Sequence, residues 1–286
     1  MLKPAVSVLM PIYNTKEEFL REAVSTILSQ TFTDFEFLIL NDSPDNTKLD
    51  NIVKSFHDKR IRYYKNKKNL GISGSRNKLI ELAKGEFLAI FDHDDVSLPD
   101  RLEKQVSFLN AHPEIGVCGS AYSWTHKNKI KINPESSRNI EKALMCGCAI
   151  HHSSAMLRKS VLIKNNIKYE SKYSPAEDYA LWCRLIGKTK FYNVRDILVS
   201  YRKHSNQTSQ LQKNEMKKAT KLIHEFVRKE HPDIWDKVQN DAMSIVRVKL
   251  FGFIPLAKFR HIGFRYDGLL NHIPFLSIKT KMAISK

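Results

Sequence analysis

The run Asp92-His93-Asp94-Asp95 concentrates three carboxylates at one point of the chain. Carboxylates this close repel, and each is driven toward its protonated form unless a cation is shared. A hard divalent ion, held by one or two of them and by phosphate oxygens of a bound substrate, relieves that repulsion. A solvated turn ahead of a helix, with Asp100 as N-cap, is the competing reading. A second acid pair, Glu177-Asp178, follows Ser174-Pro175-Ala176 and opens a helix whose inner face carries Leu181, Trp182 and Leu185. Acids in a first helical turn are favoured by the macrodipole. The same pair also offers a general base able to take a proton from a hydroxyl nucleophile.

The elements around these acids favour the chemical reading of the first cluster. Val6 to Ile12 and Phe35 to Leu40 read as short buried strands, and Ile61 to Tyr64 and Phe87 to Phe91 as two more. Between them run helical patterns at Lys16 to Ser29, from about Lys48, and from Ser73 to Ala83. Strands alternating with helices predict an α/β fold: a Rossmann-like, mostly parallel central sheet flanked by helices. Ligands of such sheets bind beyond the carboxyl ends of the strands. There the polar punctuation falls: Tyr13-Asn14 after the first strand, Asp42 after the second, the acidic run after the fourth. Past residue 120 the alternation loosens, and long polar helices are expected from about Lys213 to Glu230.

Composition narrows the choices. Hydrophobic residues make up 42% and charged residues 27%, an ordinary globular balance, while the net charge of +17 calls for an anionic partner or a merely basic surface. Nucleic acid, an anionic membrane or a phosphorylated substrate would each answer. Cys118, Cys146, Cys148 and Cys183 do not complete a zinc spacing and read as reduced cytosolic thiols. The N-terminus runs straight into a strand without a signal-peptide core, so a cytoplasmic protein is expected. The Gly71-Ile72-Ser73-Gly74 turn lacks both the dinucleotide glycine spacing and a Walker lysine.

Five segments in order resemble glycosyltransferase family 2, which has the GT-A fold. They are Val8-Leu9-Met10-Pro11-Ile12-Tyr13-Asn14; Asn41-Asp42-Ser43; Asn69-Leu70-Gly71 with Ser75-Arg76-Asn77; Asp92-His93-Asp94-Asp95 with Leu98-Pro99; and Glu177-Asp178 with Leu181-Trp182 and Arg184-Leu185. The resemblance implies inverting transfer of a hexose or N-acetylhexosamine from a UDP-sugar to a hydroxyl of a saccharide acceptor. Pro11, Tyr13, Asn14, Asp42, Arg76, Asp92 and Asp94 would bind the nucleotide-sugar, with Tyr13 against the uracil and Asp42 accepting its imide hydrogen. Asp94, with Asp92 and His204, would hold Mn²⁺ or Mg²⁺ on the diphosphate. Asp178 would be the base, with Glu177 beside it, and His152, Ser153 and Trp182 would line the acceptor side. His93 is expected to point away from the metal. The family usually places two acids and then Gly-Ser after the second strand, and this chain departs from that with Asn41-Asp42-Ser43-Pro44-Asp45.

Two units are expected: a catalytic domain over 1–210, divided near 120 into nucleotide-sugar and acceptor parts, and a helical, basic extension over 211–286. From Ser244 onward aromatics and aliphatics mix with Arg247, Lys249, Lys258, Arg260, Arg265, Lys279, Lys281 and Lys286. That mixture suits the headgroup layer of an anionic bilayer, where a lipid-linked acceptor of capsule or lipopolysaccharide assembly would be met. A tail folded back on the catalytic domain is the alternative. Two other functions compete. A sugar nucleotidyltransferase would need a Gly-rich basic loop where Pro11-Ile12-Tyr13-Asn14-Thr15 stands. Nucleic-acid binding has charge in its favour but no binding motif, and no nucleic-acid partner is expected.

Overall fold

The computed structural model describes residues 3–125, 127–205, 207–241, 246–250 and 254–259. The chain first lays down β1 (Val6–Ile12), α1 (Glu17–Leu28), β2 (Phe35–Asn41), α2 (Thr47–Lys54), β3 (Ile61–Lys65), α3 (Gly71–Leu82) and β4 (Phe87–Ile90). Both β1 and β2 are buried at every position. Such near-continuous apolar runs belong to parallel strands covered on both faces. Helix α1 supplies one cover, burying Leu20, Ala23, Val24 and Ile27 at helical spacing against β1 and β2 residues such as Val8, Met10 and Phe37.

There follow β5 (Val96–Ser97), α4 (Arg101–Ala111), β6 (Ile115–Trp124), β7 (Lys127–Lys131), α5 (Ser137–Leu144), β8 (Met156–Arg158), α6 (Lys159–Lys164), α7 (Glu177–Leu185) and β9 (Lys190–Tyr201). Among the described residues nine strands form one sheet in the order β3-β2-β1-β4-β8-β6-β9-β5, with β7 paired to the outside of that path on β6. The first four neighbours are parallel, β8 runs against both β4 and β6, and β9 is parallel to β6. The carboxyl ends of β1, β2, β4, β6 and β9 therefore share one edge. This is the α/β, GT-A-like arrangement expected.

The chain moves outward from β1 to β3 and then returns to the other side of β1 with β4, so the direction of winding reverses between β1 and β4. A crevice at that reversal is where doubly wound sheets bind ligands. Pro11 opens it. The Leu9 carbonyl accepts the Phe91 N–H at 3.1 Å, and the Ile12 carbonyl turns to β2, accepting from Asp42 N–H at 2.9 Å. Alternation puts Pro11 on the β4 side with no N–H to give, and the β1–β4 ladder stops at Leu9. Pro11 is thus buried within β1 and shapes the lip, whereas Tyr13 stands out of it, 55% exposed.

After β9 come α8 (Thr208–Leu211), α9 (Lys213–Glu230) and α10 (Pro232–Asp241). Chain contacts divide the protein into Met1–Trp235 and Asp236–Lys286. The reason lies in α9, whose polar sequence hides a stripe of Ala219, Ile223 and Val227, all buried. His224 on the same helix meets the Tyr179 ring of α7 edge-on at 6.2 Å. In the second unit, β10 (Val246–Leu250) and β11 (Ile254–Phe259) form an antiparallel hairpin with a register shift at Val248/Lys249. The rest of the basic segment past Ser244 lies outside the described residues. No helix among the described residues is long and apolar enough to cross a membrane.

Candidate active site

One end of the crevice is built by the turn after β2. Asp42 is 3% exposed, and its Oδ1 accepts from Asn66 Nδ2 at 2.7 Å and Leu70 N–H at 2.8 Å. Its Oδ2 accepts from Asn69 Nδ2 at 3.1 Å, which leaves lone-pair capacity on that oxygen. Gly71, at φ +70, begins α3 directly after this contact, a backbone state that costs glycine little. The departure from the two-acid pattern also has a structural reading. Asn41 Oδ1 accepts the Ser43 N–H at 2.8 Å and its Nδ2 donates to Asp50 at 3.0 Å, so Asn41 builds the turn. Ser43 Oγ in turn accepts the Asn14 N–H at 2.8 Å, holding the β1 loop with Asn14 at φ 46.

The acidic loop after β4 is held by cations on both sides. Arg76, from α3, donates to Asp92 at 2.9 Å and to Glu177 at 2.5 Å. Ser153 Oγ donates to the other Asp92 oxygen at 2.9 Å, and His152 Nδ1 lies 3.7 Å from it. Burial would push the Asp92 carboxyl up, but the Arg76 charge, helped by His152 and Ser153, holds it well below the usual range. Asp95 behaves oppositely. It is 2% exposed, and burial together with the Asp94 and Asp92 charges pushes its carboxyl well above the ordinary value. Beneath the loop lies Arg101, fully buried, donating to the Ile90 carbonyl at 2.8 Å. Burial pulls its guanidinium down to about 10, against the opposing pull of Asp95 and Asp92.

The segment after β9 closes over the same loop. Arg202 gives its backbone N–H to Asp95 at 3.0 Å and its Nε–H to the Asp94 carbonyl at 2.9 Å. It also pairs with Glu22 and lies over the Phe19 ring at 4.6 Å, fastening the segment to α1. His204 Nε2 lies 2.9 Å from Asp94 Oδ2, with its ring 5.1 Å from that of Phe19. The two residues joined here are 110 positions apart in the chain.

On the opposite wall, α7 begins at Glu177, as the acid pair predicts. Glu177 is buried on Arg76, while Asp178 is half-buried and its Oδ1 accepts the Tyr179 N–H at 2.7 Å. Arg76 thus joins the acid loop to the pair that includes Asp178. His152 and Ser153 sit in the buried turn His152–Ser154, His152 hydrogen-bonded through Nε2 to the Tyr169 hydroxyl at 2.9 Å. Trp182 has no exposed surface and lies behind His152, with ring centroids 6.0 Å apart. It therefore backs the His152 turn and forms no open surface, because the inward stripe of α7 points into the core.

The donor set tests whether a divalent ion fits. Asp94 and His204 bring one hard oxygen and one imidazole nitrogen face to face, two ligands of the kind Mn²⁺ or Mg²⁺ takes alongside substrate phosphates. The His204 Nδ1 is buried without a partner, so its ring has no competing tether. No group of three ligating side chains that could hold a metal ion occurs among the described residues. Asp92 has both oxygens engaged by Arg76 and Ser153. The Asp95, Arg101, Arg202 and Tyr169 contributions were not singled out by sequence. Asp95 was visible as the third acid of its run, whereas burial of the arginines depends on contacts between distant segments.

The sequence from residue 7 to 164 matches the model of glycosyl transferase family 2, and the chain belongs to that family. The uncharacterized glycosyltransferase MJ1057 of Methanocaldococcus jannaschii is 35% identical over 244 residues, 81% of this chain and 82% of that one. The UDP-Glc:alpha-D-GlcNAc-diphosphoundecaprenol beta-1,3-glucosyltransferase WfgD of Escherichia coli is 28% identical over 226 residues, 78% of this chain and 86% of its own. Among solved structures, S. aureus TarS 1-349 in complex with UDP-GlcNAc superposes with a TM-score of 0.68 at 18% identity, over 85% of this chain and 73% of that one. That likeness establishes the GT-A fold. The protein is a glycosyltransferase.

Proposed function

We propose that the protein moves a hexose or N-acetylhexosamine from a UDP-sugar to a hydroxyl of a lipid-linked saccharide, inverting the anomeric centre, in cell-surface polysaccharide or lipopolysaccharide assembly. The observation that carries this reading is the Arg76 bridge, which joins the acidic loop at the winding reversal to the Glu177-Asp178 pair. The activity of WfgD, which uses UDP-Glc and a diphosphoundecaprenol-linked GlcNAc, supports the donor and acceptor classes.

In this scheme the exposed Tyr13 ring stacks on uracil and the free lone pair of Asp42 accepts its imide hydrogen. Asp94 and His204 would hold Mn²⁺ or Mg²⁺ against the diphosphate, where the ion offsets charge on the leaving UDP. Asp92 acts as a strut that keeps Arg76 charged and in place. Asp178 takes the proton of the acceptor hydroxyl as its oxygen bonds to the anomeric carbon, and the bond from that carbon to the diphosphate oxygen breaks on the opposite face. The full chain should release UDP from one or more of UDP-glucose, UDP-galactose and their N-acetyl forms, faster when GlcNAc-diphosphoundecaprenol is added. UDP release that is unchanged in chelator would remove the metal, and activity confined to GDP-sugars would overturn the donor class.

A further inference from the structure

The wall of the crevice opposite the nucleotide end carries an aromatic cluster that the scheme above does not use. At the carboxyl ends of β6 and β9, Tyr122, Trp124, Tyr201 and His151 come together. The Tyr122 ring lies 5.1 Å from Trp124, 6.0 Å from Tyr201 and 4.0 Å from His151, and His151 meets Tyr201 edge-on at 5.3 Å. The parallel register sets Trp124 beside Tyr201, on the same sheet edge as the acidic loop. All four residues are half-buried, whereas core aromatics such as Phe37, Phe91 and Phe191 have no exposed surface.

The acid loop borders this cluster. Tyr201 directly precedes Arg202, whose N–H is held by Asp95, and His151 directly precedes His152, which faces Asp92. The cluster therefore borders the acid loop through its neighbours in the chain. Partly accessible rings offer a flat apolar surface with polar rims. A pyranose presents the complement, an apolar C–H face ringed by hydroxyls, and small-molecule sites commonly combine apolar walls with a few polar groups. The nearby carboxylates would repel an anionic ligand, which favours an uncharged ring at this place.

We propose that Tyr122, Trp124 and Tyr201 form a stacking platform for an uncharged pyranose ring of the acceptor, which they hold beside the acid loop. The assignment rests on the glycosyl-transfer reading and names the surface its acceptor uses. Saturation-transfer NMR tests it on the full chain with UDP, Mn²⁺-free Mg²⁺ buffer and methyl N-acetyl-α-glucosaminide as probe. The wild type should pass saturation to the C–H protons of one sugar face. Trp124→Ala should reduce that transfer at least fivefold, Tyr122→Leu should weaken it, and Trp124→Phe should restore most of it. UDP signals should persist in all four proteins, which shows that the donor half is folded in the variants. Undiminished sugar signals in Trp124→Ala, or no sugar signal from wild type that binds UDP, would overturn the platform. Sugar signals that respond to Trp124 in a protein that ignores UDP would keep the platform and overturn the donor assignment.

Discussion

Asp95 accepts the Arg202 N–H from a position that water hardly reaches, with two further carboxylates adjacent in sequence. Its charge is costly there without a metal, so a neutral isostere that preserves the accepting oxygen should stabilise the metal-free protein. Asp95→Asn is expected to raise Tm at pH 7 in chelator by about 3–6 °C, for a gain on the order of 1–2 kcal/mol. A Tm that is unchanged or lower by calorimetry would show that the charge is already compensated. Asp178→Asn is a different experiment, because the half-buried Asp178 is assigned to proton removal. It should lower kcat about 10²–10⁴-fold while UDP affinity, read by calorimetry, stays put; turnover close to wild type would take the base role from Asp178. At this scale the carboxylates were legible because acids crowded after an apolar strand need a reason. Arg101 was not, since an arginine opening a polar-looking helix is indistinguishable in sequence from a solvated one until packing buries it.

Helix α3 does more than present Arg76. One residue on, the Asn77 side chain accepts the Tyr169 N–H at 2.9 Å and donates to the Tyr169 carbonyl at 2.9 Å, closing a two-bond clasp on the segment that leads into α7. Loss of the clasp leaves that backbone unpaired. Asn77→Ala should cost about 1–3 kcal/mol, and amide exchange should accelerate through 168–178 more than in β1 or β2. Uniform acceleration across the sheet would instead indicate a global effect. Elements with strong periodicity or long apolar runs read well from sequence: β1 spans Val6–Ile12 and α9 spans Lys213–Glu230, as expected. Short strands did not. β5 has two residues and β8 three, too few to show alternation, and their pairing is imposed by neighbours. β9 runs over Lys190–Tyr201, because its β6 partner carries the pairing across polar positions and register shifts.

For the whole molecule, acid should be more damaging than its high positive charge alone suggests. Glu36, inside β2, accepts from Ser7 at 2.7 Å and pairs with Arg62 at 2.5 Å. Burial raises its carboxyl, but Ser7, Arg62 and the Lys84 N–H outweigh this and lower it overall, and Asp92 is lowered further. A group lowered in the folded state adds stability above its unfolded value, near pH 4–4.5, and loses it as pH falls through the folded value. Glu36→Gln should therefore cost about 2 kcal/mol at pH 7 yet flatten the fall of Tm between pH 4.5 and 2. An equally steep fall would acquit Glu36. The basic segment past residue 243 is proposed to hold the enzyme at an anionic bilayer, and its removal should shift the protein from sedimenting with phosphatidylglycerol vesicles to the supernatant. Equal sedimentation of both forms would argue for a tail docked on the protein itself.

The salt link from Arg76 to Glu177 crosses 101 positions of chain, from the proposed donor half to the proposed acceptor half. Grafting the acceptor half of one relative onto the donor half of another would strand a buried cation or a buried anion wherever only one partner came along. Exchange of specificity between such enzymes is thus constrained to cassettes that carry the arginine and the glutamate as a matched set. Libraries of hybrids should yield folded members chiefly from parents that agree at both places.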